Sequence, residues 1–399
     1  MMGEEVVLIL EDLTKITAKI ISESENTIIN RLIATIGKKK LVSIILTGSV
    51  ARNKASSKSL NGKLYLESDL DIVVVVNPRA IIKSLILIKH LANRLTSELR
   101  KQRLLSGVSL SIMTEKSLRN STPTIFYQDL VRNGKVIFGK DLCKMLTVYE
   151  VNKIPAYDVY RLVFNRMIEA LEVFVSSGFI ENKLTNDSFY FMFNSIEKLT
   201  FALIQAILIK NNILIFRGFD LNECKKENLQ PNNFMILKEL LASHDELRKA
   251  KESREKLSED ILKCHWNDAI RQFNSTIEAL AYFDNIRPLQ IKKLVFGHEK
   301  LGRKLKLSVI SFLQYFGTGK TVDLFRTVVY RIRFGSDYVY IPLYYLFLST
   351  EFLGGGEPPN IGIYNEIKSS LRKLDKVSSV KLWTKSFNKH LIIWKFMIG

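Results

Sequence analysis

Cysteine is scarce in this 399-residue chain: Cys143, Cys224 and Cys264 lie far apart, and none belongs to a CxxC pair. Such spacing excludes a disulfide framework and a cysteine zinc site, and it fits a reducing, cytoplasmic setting. Long apolar runs are lacking too. The most apolar late stretch, "YVYIPLYYLFLSTEFL" from Tyr338, is interrupted by Pro342 and Glu351. It falls short of the roughly 20 apolar residues that a spanning helix needs, so it reads as a buried segment and no membrane contact is expected. The opening "MMGEEVVLILEDLTKI" places acids before a short apolar run, unlike a secretory leader. There is no internal repeat, and no RNA-binding signature or aromatic-interleaved stripe accompanies the basic residues.

What is present is an apolar share of 47%, enough to build sizeable cores, in a chain long enough for two or three domains. A formal charge of +19 comes from scattered clusters such as "GKKK" at 37, "RKQR" at 100, "LRKAKESREK" at 247 and "LGRKLK" at 301. A basic surface concentrates anionic partners such as nucleic acid, nucleotides or acidic lipid. A lysine-rich solvated face of the thermophile kind gives the same count. Both readings stay open at this point.

Periodicity divides the chain. Residues 5–37 read as helical, with Ile28, Ile29, Leu32, Ile33 and Ile36 at helical spacing and Asn26 as an N-cap. "LVSIILT" (41–47) and "LDIVVVV" (70–76) read as strands, the second buried on both faces and stopped by Asn77-Pro78. Helical spacing returns over 80–103. "GVSLSIMT" (107–114) alternates like a half-buried strand, a short helix closes at Gly134, and "KVIFG" forms a fourth strand. Beyond Pro155 the pattern is helical over 156–177, 187–211, 231–246 and 254–285, with further helices expected at 300–316 and 320–334. The expectation is an α+β protein. It has a small mixed-sheet domain over 1–150, a helical domain over 151–290 and a mostly helical region over 291–399.

The most informative stretch is "TGSVARNKASSKSLNGKLYLESDLDIVVVV", Thr47 to Val76. In extended backbone, residues two apart share a face with their α-carbons roughly 6.5–7 Å apart, which predicts that Asp69 and Asp71 present both carboxylates to one side. Two anions so close repel unless a cation lies between them. Oxygen-only ligands suit magnesium, which takes one or two carboxylates plus phosphates. Gly48 permits close approach of backbone to a ligand, and Ser49 falls in a first helical turn, whose amides lack partners and favour anions. A plainer alternative makes Asp69 a turn or cap residue and Asp71 a solvated edge, but that leaves unexplained why the pair interrupts so apolar a run.

"GSVAR…SDLD", with a strand before it and the aspartates opening the next strand, resembles the nucleotidyltransferase superfamily of the DNA polymerase beta type. The nearest branches are the minimal and antibiotic nucleotidyltransferases. Gly48, Ser49, Asp69 and Asp71 match the motif over roughly the first third of the chain, and Arg52 falls where many members have Ala-Arg-Gly. Asn53 replaces that last glycine, and "SKSLNGKLYLE" looks like an insertion. The resemblance implies transfer of a nucleoside monophosphate from a triphosphate, ATP first, to a hydroxyl acceptor on a small molecule, protein or RNA, with release of pyrophosphate. Two magnesium ions would be held by Asp69 and Asp71 as the catalytic and metal-binding pair, with Gly48, Ser49 and Arg52 at the nucleotide. The superfamily's third carboxylate is missing: the next strand carries Ser109 and Ser111, and Glu115 and Glu67 are the nearest substitutes. A nucleotide-binding module without transfer is therefore the second reading, and a tRNA 3'-end nucleotidyltransferase the third.

"NDSFYFMFNSIEKLTFALIQAILIKNN" is apolar nearly all round, with a polar stripe through Tyr190, Asn194, Glu197 or Lys198, and Gln205. Related enzymes carry a "Y…K" helix after the catalytic domain. The resemblance thus implies Lys198 at the triphosphate and Tyr190 against base or sugar, in a cleft between the two domains, with Arg161 and Arg166 as further phosphate candidates. In the alternative, Glu197 pairs with a neighbouring cation and Lys198 snorkels to solvent. "FGTGKTVD" at 316 is not a P-loop, because Gln314 stands where its first glycine belongs. Cys264 and His265 are adjacent in a helical pattern and diverge, so core packing is expected there rather than a metal.

Overall fold

The computed structural model describes residues 2–60, 63–177, 185–216, 231–253 and 258–284, together with Tyr340, Leu343, Tyr344, Leu346, Phe347, Thr350 and Leu391. The helices expected at 300–316 and 320–334, the Gly-Lys stretch at 316 and Cys224 lie outside these residues. Up to Tyr149 the described residues form one compact unit, and from Glu150 onward they form another.

The first unit is α/β. Its long helix α1 (Met2–Ile36) leads into β1 (Leu41–Thr47) and the single turn α2 (Gly48–Ala51). A hairpin, β2 (Ser57–Leu60) and β3 (Lys63–Leu66), precedes β4 (Leu70–Val76). Helix α3 (Ile81–Arg100), β5 (Val108–Thr114), α4 (Glu115–Arg119), α5 (Ile125–Asn133) and β6 (Lys135–Gly139) complete it. Asn26, expected as an N-cap, falls inside α1. Neighbouring Ser24 and Thr27 bond back to the carbonyls four residues earlier, at 2.8 and 3.1 Å, as hydroxyls inside a helix do.

Four strands form a mixed sheet in the order β5-β4-β1-β6, β4 being antiparallel to β1 and parallel to β5. Alternation along β4 splits the core in two. Leu70, Ile72, Val74 and Val76 pack against Ile28 and Leu32 of α1 and Leu91, Leu95 and Leu99 of α3. Val73 and Val75 face the other way, with Ile45, onto Leu118 of α4, Tyr127 and Leu130 of α5, and Leu142. β4 is buried along both faces, as a run of β-branched residues in a central strand should be.

The second unit is helical among its described residues: α6 (Ala156–Ser176), α7 (Asn186–Lys210), α8 (Pro231–Ser253) and α9 (Glu259–Phe283). α7 packs against all three others. Over Ser188–Lys210 it is long and apolar enough to cross a membrane by composition alone, yet 89% of its most apolar window is buried within the protein, as in a core helix. Aromatic rings fill the interior: Phe174 stacks on Trp266 at 4.6 Å, and Phe273 meets Phe164, Tyr344 and Phe347 at 5.3–5.8 Å. Tyr340, Leu343, Leu346 and Phe347 are buried, in keeping with the reading of that apolar stretch as core.

Candidate functional site

The two aspartates stand at the head of β4, where β1 ends and β5 begins. Asp71 pairs with Thr47 of β1 and Ser109 of β5. Paired residues on neighbouring strands share a face, so these three side chains project on the side of Val73 and Val75. Helices α4 and α5 cover that face toward the other end of β4. At this end Ser109 and Ser111 are exposed and Asp71 is half-buried. Asp71 therefore occupies a central strand and is no solvated edge. Thr47 beside it is buried, and its hydroxyl has no hydrogen-bond partner among the described residues.

Asp69 precedes the first paired residue of β4 and is exposed. Its Oδ1 accepts the Gly107 amide at 3.0 Å, while the Gly107 carbonyl accepts the Leu70 amide at 3.0 Å. One oxygen of Asp69 thus caps the start of β5, as the plainer alternative proposed. From the other side the hairpin β2–β3 closes on Ser56 and Ser68: the Ser56 amide donates to Ser68 Oγ at 2.8 Å and the two hydroxyls lie 3.0 Å apart. The apparent insertion therefore delivers Asp69 to its place. The clue was the Asn61-Gly62 pair between two short alternating runs, a strong hairpin signal.

Gly48 is tied to Asp71 by sterics. Its φ of +74° lies in the left-handed region, and a Cβ added there would stand 2.6 Å from Asp71 Oδ2. Glycine suits both demands, and the Gly-Ser turn lies directly against the second aspartate. Asn53, where the family pattern has glycine, has φ 56°. Asparagine is among the few other residues that enter this region readily, so the departure preserves the backbone conformation. α2 is a single turn, closed by the amides of Arg52, Asn53 and Lys54 on the carbonyls of Gly48, Val50 and Ser49.

Arg52 is committed elsewhere than expected. Its Nη1 donates to Asp129 Oδ2 of α5 at 2.6 Å, with the two side chains only 14% and 12% exposed. Asp129 Oδ1 in turn accepts from Asn133 Nδ2 at 2.9 Å. Asp129 lies within an ordinary amphipathic helix and carries no local sequence signal.

Of the two substitutes for the third carboxylate, topology removes Glu115. Thr114 pairs with Val76, five residues beyond Asp71 and roughly 16 Å along the strand, so Glu115 lies at the opposite end of the sheet. There it joins Arg119 at 2.8 Å and Lys140 at 3.0 Å, and Arg119 first, then Lys140, hold its carboxyl below the usual range. Glu67 ends the hairpin two residues before Asp69, half-buried, its amide on the Ser56 carbonyl at 2.9 Å. No group of three or more His, Cys, Asp and Glu suited to a metal occurs among the described residues.

Tyr190 and Lys198 belong to the second unit, both half-buried on α7, with the Tyr190 ring 6.0 Å from that of Phe191. Glu197 of the polar stripe is buried, its Oε1 3.9 Å from His244 Nε2 of α8. Gln205 is buried too, donating to the Ile215 carbonyl at 2.6 Å. Arg161 is exposed and Arg166 pairs with Glu169. His265 packs its ring on Phe193 at 5.5 Å, and exposed Cys264 donates to Asp268 at 3.8 Å, so neither serves a metal with the other.

Comparison with family models, with curated proteins and with solved structures yields no match. The likeness to nucleotidyltransferases therefore rests on the residues themselves.

Proposed function

We propose that this protein is a magnesium-dependent nucleotidyltransferase, moving a nucleoside monophosphate from a triphosphate to a hydroxyl acceptor. One observation carries the reading: Gly48 has φ +74°, and a Cβ added there would stand 2.6 Å from Asp71 Oδ2, so the Gly-Ser turn lies directly against the acid. A phosphate seat and a metal-binding carboxylate are thereby fused. The donor set fits magnesium: two carboxylates, with Ser109 hydroxyl on the same face as Asp71, and the remaining positions left to water and phosphate oxygens. Bound there, the metal would neutralise charge on the triphosphate and lower the pKa of the attacking hydroxyl.

The chain's own residues have distinct tasks in this scheme. Asp69 and Asp71 hold the cation. The Gly48 and Ser49 amides donate to a phosphate, as first-turn amides do. Asp69 spends one oxygen on Gly107 and keeps the other for the metal. Lys198 remains the proposed charge-neutralising residue from the second unit, and Tyr190 the proposed base or sugar contact.

A second reading, triphosphate binding without transfer, is favoured by Ser109 and Ser111 standing where the family has its third acid, with Glu115 at the far end of the strand. General-base assistance is typically worth 10²–10⁴-fold in rate. Incubation with labelled triphosphates, magnesium and a cell extract separates the readings. Label on a macromolecule or metabolite, lost with Asp71→Asn, supports transfer and identifies the acceptor class. Triphosphate binding without label supports the second reading, and absence of both contradicts each.

A further inference from the structure

The Arg52–Asp129 pair joins two elements of unequal strength. Helix α5 is well anchored. Thr124 caps it through the Tyr127 amide at 3.2 Å, Leu130 is fully buried, and Gln128 donates to the Tyr149 carbonyl at 2.9 Å. The single turn α2 has no side-chain cap from Thr47. One turn of helix is not self-supporting, since nucleation fixes several residues for one hydrogen bond. Arg52 is the residue that closes this turn, its amide on the Gly48 carbonyl at 3.2 Å, and its side chain reaches Asp129. The pair is charge-assisted, short and largely out of solvent, which makes it strong and costly to break.

We infer that Asp129 is a positioning residue: through Arg52 it holds the α2 turn where Gly48 meets Asp71, and so fixes the seat for the triphosphate. The inference rests on the nucleotide reading above for its ligand, but its mechanical part stands on the contacts alone. It also reassigns Arg52 from direct phosphate contact to support of the turn. The two roles differ in sign. If Arg52 touched phosphate directly, neutralising Asp129 would release the guanidinium and tighten triphosphate binding. If Asp129 positions the turn, the same change loosens it.

The test uses the full chain carrying Asp129→Asn, and the exchanged pair Arg52→Asp with Asp129→Arg. Amide hydrogen exchange at Arg52, Asn53 and Lys54, whose amides close α2, should rise about tenfold to a hundredfold in Asp129→Asn, the range for losing a charge-assisted hydrogen bond. β4 amides should stay protected, which a general loss of stability would not allow. Calorimetric affinity for magnesium ATP should fall by a similar factor and recover at least partly in the exchanged pair. Unchanged exchange at those three amides, or tighter ATP binding, overturns the inference. Wild-type protein that binds no magnesium ATP contradicts the nucleotide reading instead, and the exchange result still decides the positioning role. If Asp129→Asn does not fold, Asp129→Glu, which keeps the charge one methylene out of place, is read by the same two measurements.

Discussion

In the helical unit the buried charges close on one another. Lys210 donates to both oxygens of Asp284 at 2.6 and 2.8 Å, and Tyr160 adds its hydroxyl at 3.0 Å. Burial, then the Asp284 charge, raises the Tyr160 pKa, so the phenol stays a donor. Trp266 finds Thr350 at 2.9 Å, and Tyr340 finds Asn165 at 2.6 Å. In the α/β unit the acids at the head of β4 are arranged otherwise. Asp69 is exposed with one oxygen committed, Asp71 is half-buried, and the serines beside them face solvent. Polar groups satisfied inside a core specify a fold, whereas the two carboxylates at the head of β4 stand at a strand end that solvent reaches, beside a glycine whose φ of +74° few other residues adopt. On the proposed reading, the first arrangement holds structure and the second binds a nucleotide.

That contrast can be broken in order of expected effect. Gly48→Ala should act on the open site most strongly. The left-handed turn resists a Cβ by about 1–2 kcal/mol, and the new methyl would meet Asp71 Oδ2 at 2.6 Å. Affinity for magnesium ATP, read by calorimetry, should fall by at least about a hundredfold while the melting temperature moves by only a few degrees. Asp284→Ala should do the reverse. It strands the buried Lys210 charge and should lower unfolding free energy by about 3–5 kcal/mol in denaturant titration, with metal-dependent triphosphate binding by folded protein retained. Thr350→Val leaves the Trp266 indole N–H without its acceptor, for a loss of about 1–3 kcal/mol by the same titration.

The smallest effect concerns pH. Burial lowers the Lys89 pKa from 10.5 to about 8. The folded state therefore disfavours protonation, and wild-type protein carries its full penalty below about pH 8. The penalty fades as pH rises and is gone above 10.5, where the unfolded chain is neutral as well. Lys89→Met should raise the melting temperature by roughly 2–4 °C at pH 7 and by progressively less between pH 8 and 10.5.

Much of this was legible in the chain itself. The strands 41–47 and 70–76 and the helices of the second region follow from apolar spacing, because burial on one or two faces imposes a period. The hairpin at 57–66 looks like a mere insertion in sequence because its strands are only four residues long, and its one clear signal is Asn61-Gly62. Asp129 was invisible because its importance lies in a contact with Arg52, 77 residues away in sequence, and no local pattern encodes such a pair. Glu115 looked available in sequence and is not. Strand direction, which periodicity does not reveal, sends it to the far end of β4.

The most direct test of the central claim is calorimetric titration of magnesium and a non-hydrolysable ATP analogue into wild-type protein and into Asp69→Ala/Asp71→Ala. The account predicts saturable, metal-dependent binding by wild type and none by the double variant. Equal affinity in the two proteins, or wild-type binding unaffected by chelating the metal, would contradict it.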